Sequence, residues 1–276
     1  MLSFSSILSD ARNFMSNNIA IIFIMVLVLS IVNQIISAIL YPNIESISQI
    51  QSLLQQTIET YGGLTADGLS KTLLALSEQQ QQQLVSAAMN YLMQASMIFF
   101  INNIILMSGI LSLIYVISHQ QFSLNNVLQR AIQFAPQIAL FMLLIIPGFI
   151  ILSIFASILM PLAAPLAILA IIFYLSMYVI FLSVIIEPTL QINFIQKLKI
   201  TFRFLKREIR LIVPIIAIWF FTTFLLKNIV DMLMADNFII SIVINVIKSL
   251  LIFITICYLY RLFSLSNKEL PYDSRH

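Results

Sequence analysis

Lys227, Asp231, Asn245 and Lys248 are the residues of this chain whose types and setting could do chemistry. All four stand in or beside long apolar runs. An ionised side chain at mid-bilayer costs at least about 2.5 kcal/mol, and by default it marks a path for an ion, proton or substrate. Lys227 and Asp231 are four apart and meet on one helical face. Lys248 belongs to a stripe with Ser241, Asn245 and Thr255, and its nearest carboxylate partners are Asp231 and Asp236. Similar polar stripes run through Ser30, Asn33, Gln34 and Ser37, and through Gln94, Asn102, Asn103, Ser108 and Ser112. Two readings stand side by side. The stripes line a polar cavity through a helix bundle, or they make interhelical hydrogen bonds worth a fraction of a kcal/mol to about 2 each.

A second cluster lies at "KLKITFRFLKREIR", residues 197–210, which holds six of the fourteen basic residues and runs straight into "LIVPIIAIWFF". At helical spacing Leu198, Phe202, Leu205 and Ile209 share one face, and Lys199, Arg203, Lys206, Arg207 and Arg210 another. A basic amphipathic helix of this kind suits the headgroup region of an anionic leaflet. Each lysine or arginine near such a surface adds about 1 kcal/mol. A short stretch leading into a membrane span does not suit nucleic acid.

Other chemistries lack their parts. There is no HExxH, GxSxG, P-loop or Gly-rich nucleotide fingerprint. Cys257 is the single cysteine, so no internal disulfide forms and no cysteine-based metal site can be built. His119 has no carboxylate or thiol near it in sequence and reads as structural or solvated. The expectation is no catalytic residue, no metal, no cofactor and no enzyme activity.

These residues need elements to hold them, and composition says which. Hydrophobic residues make up 61% of the chain and charged residues 9%. Soluble domains carry about 25% charged residues, so this chain belongs in a membrane. Crossing about 30 Å of hydrocarbon takes roughly 20 apolar residues. Six such stretches occur, near 19–40, 91–118, 138–160, 164–186, 211–232 and 239–260. The expected fold is therefore all-α, a bundle of six transmembrane helices. Pro161 and Pro165 mark a hairpin between the third and fourth, and a kink or break is expected near Pro147-Gly148. Residues 1–18 and 261–276 are polar ends, with the first span read as retained. Residues 41–90 are the longest non-membrane segment. Within it, Ser77 is the expected N-cap of a helix that carries the glutamine run into the second span.

Charge sets the orientation. The segments holding Arg12, Arg130, the 197–210 cluster, and Arg261, Lys268 and Arg275 all fall on one side of six spans, and only Lys71 falls on the other. Cytoplasmic loops carry the excess of lysine and arginine, so both termini are expected in the cytoplasm and 41–90 in the periplasm.

Several stretches carry a family likeness in their order and spacing: "SDARNFMSNNIAIIFI", "LSEQQQQQLVSAA", "LQRAIQFAPQIALFMLL", "FRFLKREIRLIVP" and "CYLYRLFSL". On these the chain resembles the YciC-type family of uncharacterised multi-pass inner-membrane proteins of gammaproteobacteria. The resemblance implies a bacterial inner membrane and six spans, and supplies no activity or site. The functional expectation is a non-enzymatic accessory or scaffold protein of the cell envelope, with the bilayer, anionic headgroups and envelope proteins as partners. The alternative is a small transporter or lipid-handling protein built around Lys248.

Overall fold

The structure is a computed structural model. It describes residues 3–40, 48, 51–52, 55, 59–60, 71, 74, 76–120, 122–186, 193–232 and 238–268; for 146, 149–175, 227–232, 238–239, 241 and 267–268 it describes the backbone alone. The described residues build α1 (Phe4–Asn17), α2 (Ile19–Ile39), α3 (Glu78–Ser118), α4 (Leu124–Ile185), α5 (Phe194–Met232) and α6 (Phe238–Lys268). Among the described residues, five helices contain windows long and apolar enough to cross a membrane: Ile19–Ile39, Glu78–Ser118, Leu124–Ile145, Phe194–Leu226 and Ile242–Ser266. The protein is a membrane bundle of helices, as its composition requires.

The chain divides into two compact units. One comprises Met1–Asn33 and Ile104–His276, and the other Gln34–Asn103. In the larger unit α4, α5 and α6 pack against one another, and α1 packs on α6. Its core gathers Leu111, Leu113 and Ile114 of α3, Ile138 and Phe141 of α4, and Phe253, Leu259 and Phe263 of α6. A Cβ on Gly109 would lie 2.6 Å from Leu29 Cδ2, so this glycine lets α2 and α3 approach closely, as small residues do in membrane interfaces.

The polar end expected at residues 1–18 carries a well-formed helix, α1. Ser3 caps it: the Ser3 hydroxyl accepts from the Ser6 N–H and the Ser6 hydroxyl from the Ser3 N–H, both at 3.2 Å. Ile7 and Ala11, one turn apart, are its buried face.

In the smaller unit, Ser77 caps α3 as expected. The Gln80 N–H donates to the Ser77 hydroxyl at 3.3 Å, and the Ser77 N–H donates to Gln80 Oε1 at 3.0 Å. This is a capping box with glutamine at its third position. The glutamine run is helix and continues into the second apolar stretch.

α4 extends over 62 residues, through Pro147-Gly148 and through Pro161 and Pro165. A straight helix would put Phe141 and Phe181 about 60 Å apart at 1.5 Å per residue. Their rings instead stack at 3.7 Å, and Phe141 also lies 6.0 Å from Tyr178. The chain therefore turns back between them. Two helical limbs of equal rise bring these rings together only if the turn lies about midway, close to Pro161. Each limb from the stacked rings to that turn is about 30 Å long, a bilayer's hydrocarbon thickness. The second limb includes the apolar helical stretch Ser176–Ile185.

α5 is two helices in one. At Glu208 the backbone leaves helical geometry, with φ −107° and ψ 18°. The break falls within the basic arm, Phe194–Arg210, just short of the apolar run that follows, and Pro214 lies within that run.

Candidate functional site

The arm presents its charge outward. Lys199, Arg203, Lys206, Arg207 and Arg210, the five expected headgroup contacts, are all exposed. The apolar face differs from the sequence reading. Leu205 is buried and Leu198 half-buried, but Phe202 is 56% exposed and Ile209 47%. With Ile195 they form a line that repeats every seven residues beside the basic row. The face packed on the bundle is Lys197, Thr201, Phe204 and Leu205. The helix is thus held on one side and offers both a basic and an apolar stripe on the other.

Lys197 is the residue that sequence reasoning missed. It sits at 7% exposure, and its ammonium donates to Gln137 Oε1 at 2.6 Å. The Thr201 hydroxyl donates to the Lys197 carbonyl at 2.9 Å. Phe194, at the head of the arm, packs edge-on against Phe181 at 5.5 Å. At the other end of the arm Arg207 donates to Glu208 Oε1 at 2.8 Å and to the Ser266 hydroxyl.

The basic segments meet at one end of the larger unit. Arg261 holds Asp10 through two hydrogen bonds, from Nε to Oδ2 at 2.5 Å and from Nη2 to Oδ1 at 2.9 Å. The bonds tie α1 to α6 across 251 residues of sequence, and Phe4 packs on Tyr258 at 5.5 Å beside them. Arg207–Ser266 ties the arm to α6, and Lys197–Gln137 ties it to α4. Arg130 lies 4.4 Å over the Tyr115 ring and donates to Gln133 at 2.8 Å. His119 stacks on Tyr115 at 4.3 Å, and its Nδ1 lies 2.8 Å from the Tyr115 carbonyl. A carbonyl only accepts, so Nδ1 carries the proton and this histidine is structural. Between α1, the end of α3 and Arg261 opens a cavity of about 420 Å³, lined by polar side chains together with Phe14 and Ile117. The signal for α1 was legible as Ser3-x-x-Ser6 ahead of Ile7, Ala11 and Phe14 at helical spacing, whereas nothing local pairs Asp10 with Arg261.

The intramembrane candidates are only partly in view. Lys227 and Asp231 are helical, but their side chains lie outside the described residues. Asn245 and Lys248 are both half-buried on α6. Elsewhere the stripes make hydrogen bonds between helices: Ser30 donates to Ser249 at 3.3 Å, and Asn102 donates to Ser37 at 2.6 Å. Others turn back on their own helix. Asn103 donates to the Phe99 carbonyl, Ser112 to Gly109 and Thr255 to Leu251. Among the described residues no group of three or more His, Cys, Asp or Glu is placed to hold a metal ion, and Cys257 is a buried thiol.

Residues 1–265 match the family model of an uncharacterised protein family, UPF0259. The chain belongs to that family. The match covers every stretch on which the likeness in the sequence was read, from the α1 segment to residue 265 within α6. No curated protein and no solved structure matches the chain. The family description carries no activity, so any function has to be argued from the polar end of the bundle.

Proposed function

We propose that the protein is a non-enzymatic accessory or scaffold protein of the bacterial inner membrane, of YciC type. In this reading it crosses six times, with α4 supplying two spans and both termini in the cytoplasm. Its working surface is the basic arm before the fifth span. One observation carries this reading: five exposed cations stand beside an exposed apolar line, on a helix that breaks from its span at Glu208. Lys199, Arg203, Lys206, Arg207 and Arg210 meet anionic headgroups, while Ile195, Phe202 and Ile209 sit among the first acyl carbons. Envelope proteins are met through residues 41–90.

The test uses an environment-sensitive fluorophore on Phe202→Cys in a Cys257→Ser background, with the protein in vesicles. Emission should shift to the blue as the anionic lipid fraction rises. Replacing the five cations with Gln should abolish that dependence. Emission that ignores leaflet charge would rule out headgroup binding by the arm.

A second reading, a small transporter or lipid-handling protein, draws on Lys248. This lysine is half-buried in mid-helix. Such a protein loses flux of its substrate on Lys248→Met while remaining inserted. Unchanged flux excludes this site.

A further inference from the structure

The cavity between α1, α3 and α6 is separate from the arm, and its lining has a distinct chemistry. It holds one carboxylate and one guanidinium, Asp10 and Arg261, with carboxamides from Asn13, Asn17, Asn18 and Gln120 and the Ser118 hydroxyl. The Ser118 Oγ is buried with no hydrogen-bond partner. Gln120 holds a left-handed backbone, φ 53°, at the rim, a conformation that in a non-glycine residue is often kept for a purpose. A volume of about 420 Å³ lies within the range of small-molecule sites.

Charge selects the ligand. The lining sums to zero, so a ligand of net charge would leave one charge uncompensated at a partly buried site. A ligand bearing both signs fits without breaking the existing ion pair. Arg261 uses Nε–H and one Nη2–H on Asp10, and a guanidinium has five N–H donors, so three remain for a phosphate. The Asp10 carboxylate retains free lone pairs for an ammonium. Side-chain exposures of 30% for Arg261 and 35% for Asp10 leave both within reach of a ligand. The carboxamide oxygens of Asn13 and Asn17 add acceptors on the Asp10 side.

Position selects the source. Asn18 lines the cavity, and α2 begins at the next residue with Ile19, Phe23 and Ile24 exposed at 66%, 49% and 57%. A molecule whose head fills the cavity has an apolar track for its chains along α2. We infer that this cavity binds the headgroup of a zwitterionic phospholipid carrying a primary ammonium, with the phosphate on Arg261, the ammonium on Asp10, Asn13 and Asn17, and the acyl chains along α2.

The assignment is tested by native mass spectrometry of the full-length protein, released from nanodiscs holding equal ethanolamine and choline phospholipids. A quaternary ammonium has no N–H to donate, so retained lipid should favour ethanolamine by about tenfold, equivalent to ~1.4 kcal/mol. The Asn13→Leu/Asn17→Leu variant leaves the ion pair and the Ser3 cap intact and should lower that preference below about twofold. Asp10→Asn, checked for fold by thermal unfolding, should do the same. No headgroup preference in the wild type overturns the inference, as does a preference unchanged in the cavity variants. Displacement of the lipid by millimolar O-phosphoethanolamine would assign the site to a soluble compound and overturn the lipid assignment. The variant with five Gln on the arm should keep its ethanolamine preference, so failure of the arm reading and failure of this one are told apart.

Discussion

At the scale of single residues, the ion pair between Asp10 and Arg261 joins the two ends of the chain. Its geometry is bidentate, and the Arg261 guanidinium also lies 5.9 Å from the centre of the Phe14 ring. Both side chains are about a third exposed, so screening keeps the pair's worth near that of a surface bridge, about 0.5–1 kcal/mol. A double-mutant cycle of Asp10→Asn and Arg261→Gln, read by thermal unfolding in detergent, should return a coupling of that size. Each single variant should loosen α1, seen as faster hydrogen exchange at Ile7 and Ala11. A coupling near zero with α1 still protected would mean that Ile7, Ala11 and Phe4 alone hold the helix down. Lys197 offers a contrast. Its charge faces the bundle, beneath the five cations that face outward, and only the packed structure tells it from them.

At the scale of elements, the turn inside α4 decides how many times the chain crosses. The stacking of Phe141 on Phe181 requires two antiparallel limbs. Cysteines replacing both phenylalanines, in a Cys257→Ser background, should cross-link within one chain in native membranes. Cross-linking should be lost when the second cysteine is moved to position 171, about 15 Å further along the limb. Failure of the 141–181 pair to cross-link would remove the hairpin. The break at Glu208 works on the same scale. By ending one helix and starting another, it gives the proposed arm a direction of its own, apart from the apolar helix that follows.

At the scale of the whole molecule, the larger unit places α1, the ends of α3 and α6, and the arm at one end. These are the segments that the positive-inside rule assigns to the cytoplasm. Single cysteines at Arg12, Arg203 and Lys268 should react with a membrane-impermeant thiol reagent only after cells are opened, whereas one at Lys71 should react in intact cells. Labelling of Arg203→Cys and Lys71→Cys from the same side would break the six-span order.

The sequence by itself determined the membrane class, the all-helical fold and the Ser77 cap. Each rests on composition, local spacing or capping chemistry, which a single chain displays without its neighbours. Only the tertiary structure decided which faces are covered. It buried Lys197 and Thr201 while leaving Phe202 and Ile209 exposed, because a helix packed along one side uses whichever face its neighbours Phe263 and Gln137 reach. It turned members of the polar stripes into cross-links such as Ser30–Ser249 and Asn102–Ser37, and it formed a cavity from residues 10, 118 and 261. Contacts across more than a hundred residues depend on how helices cross, and no periodicity in one segment records that.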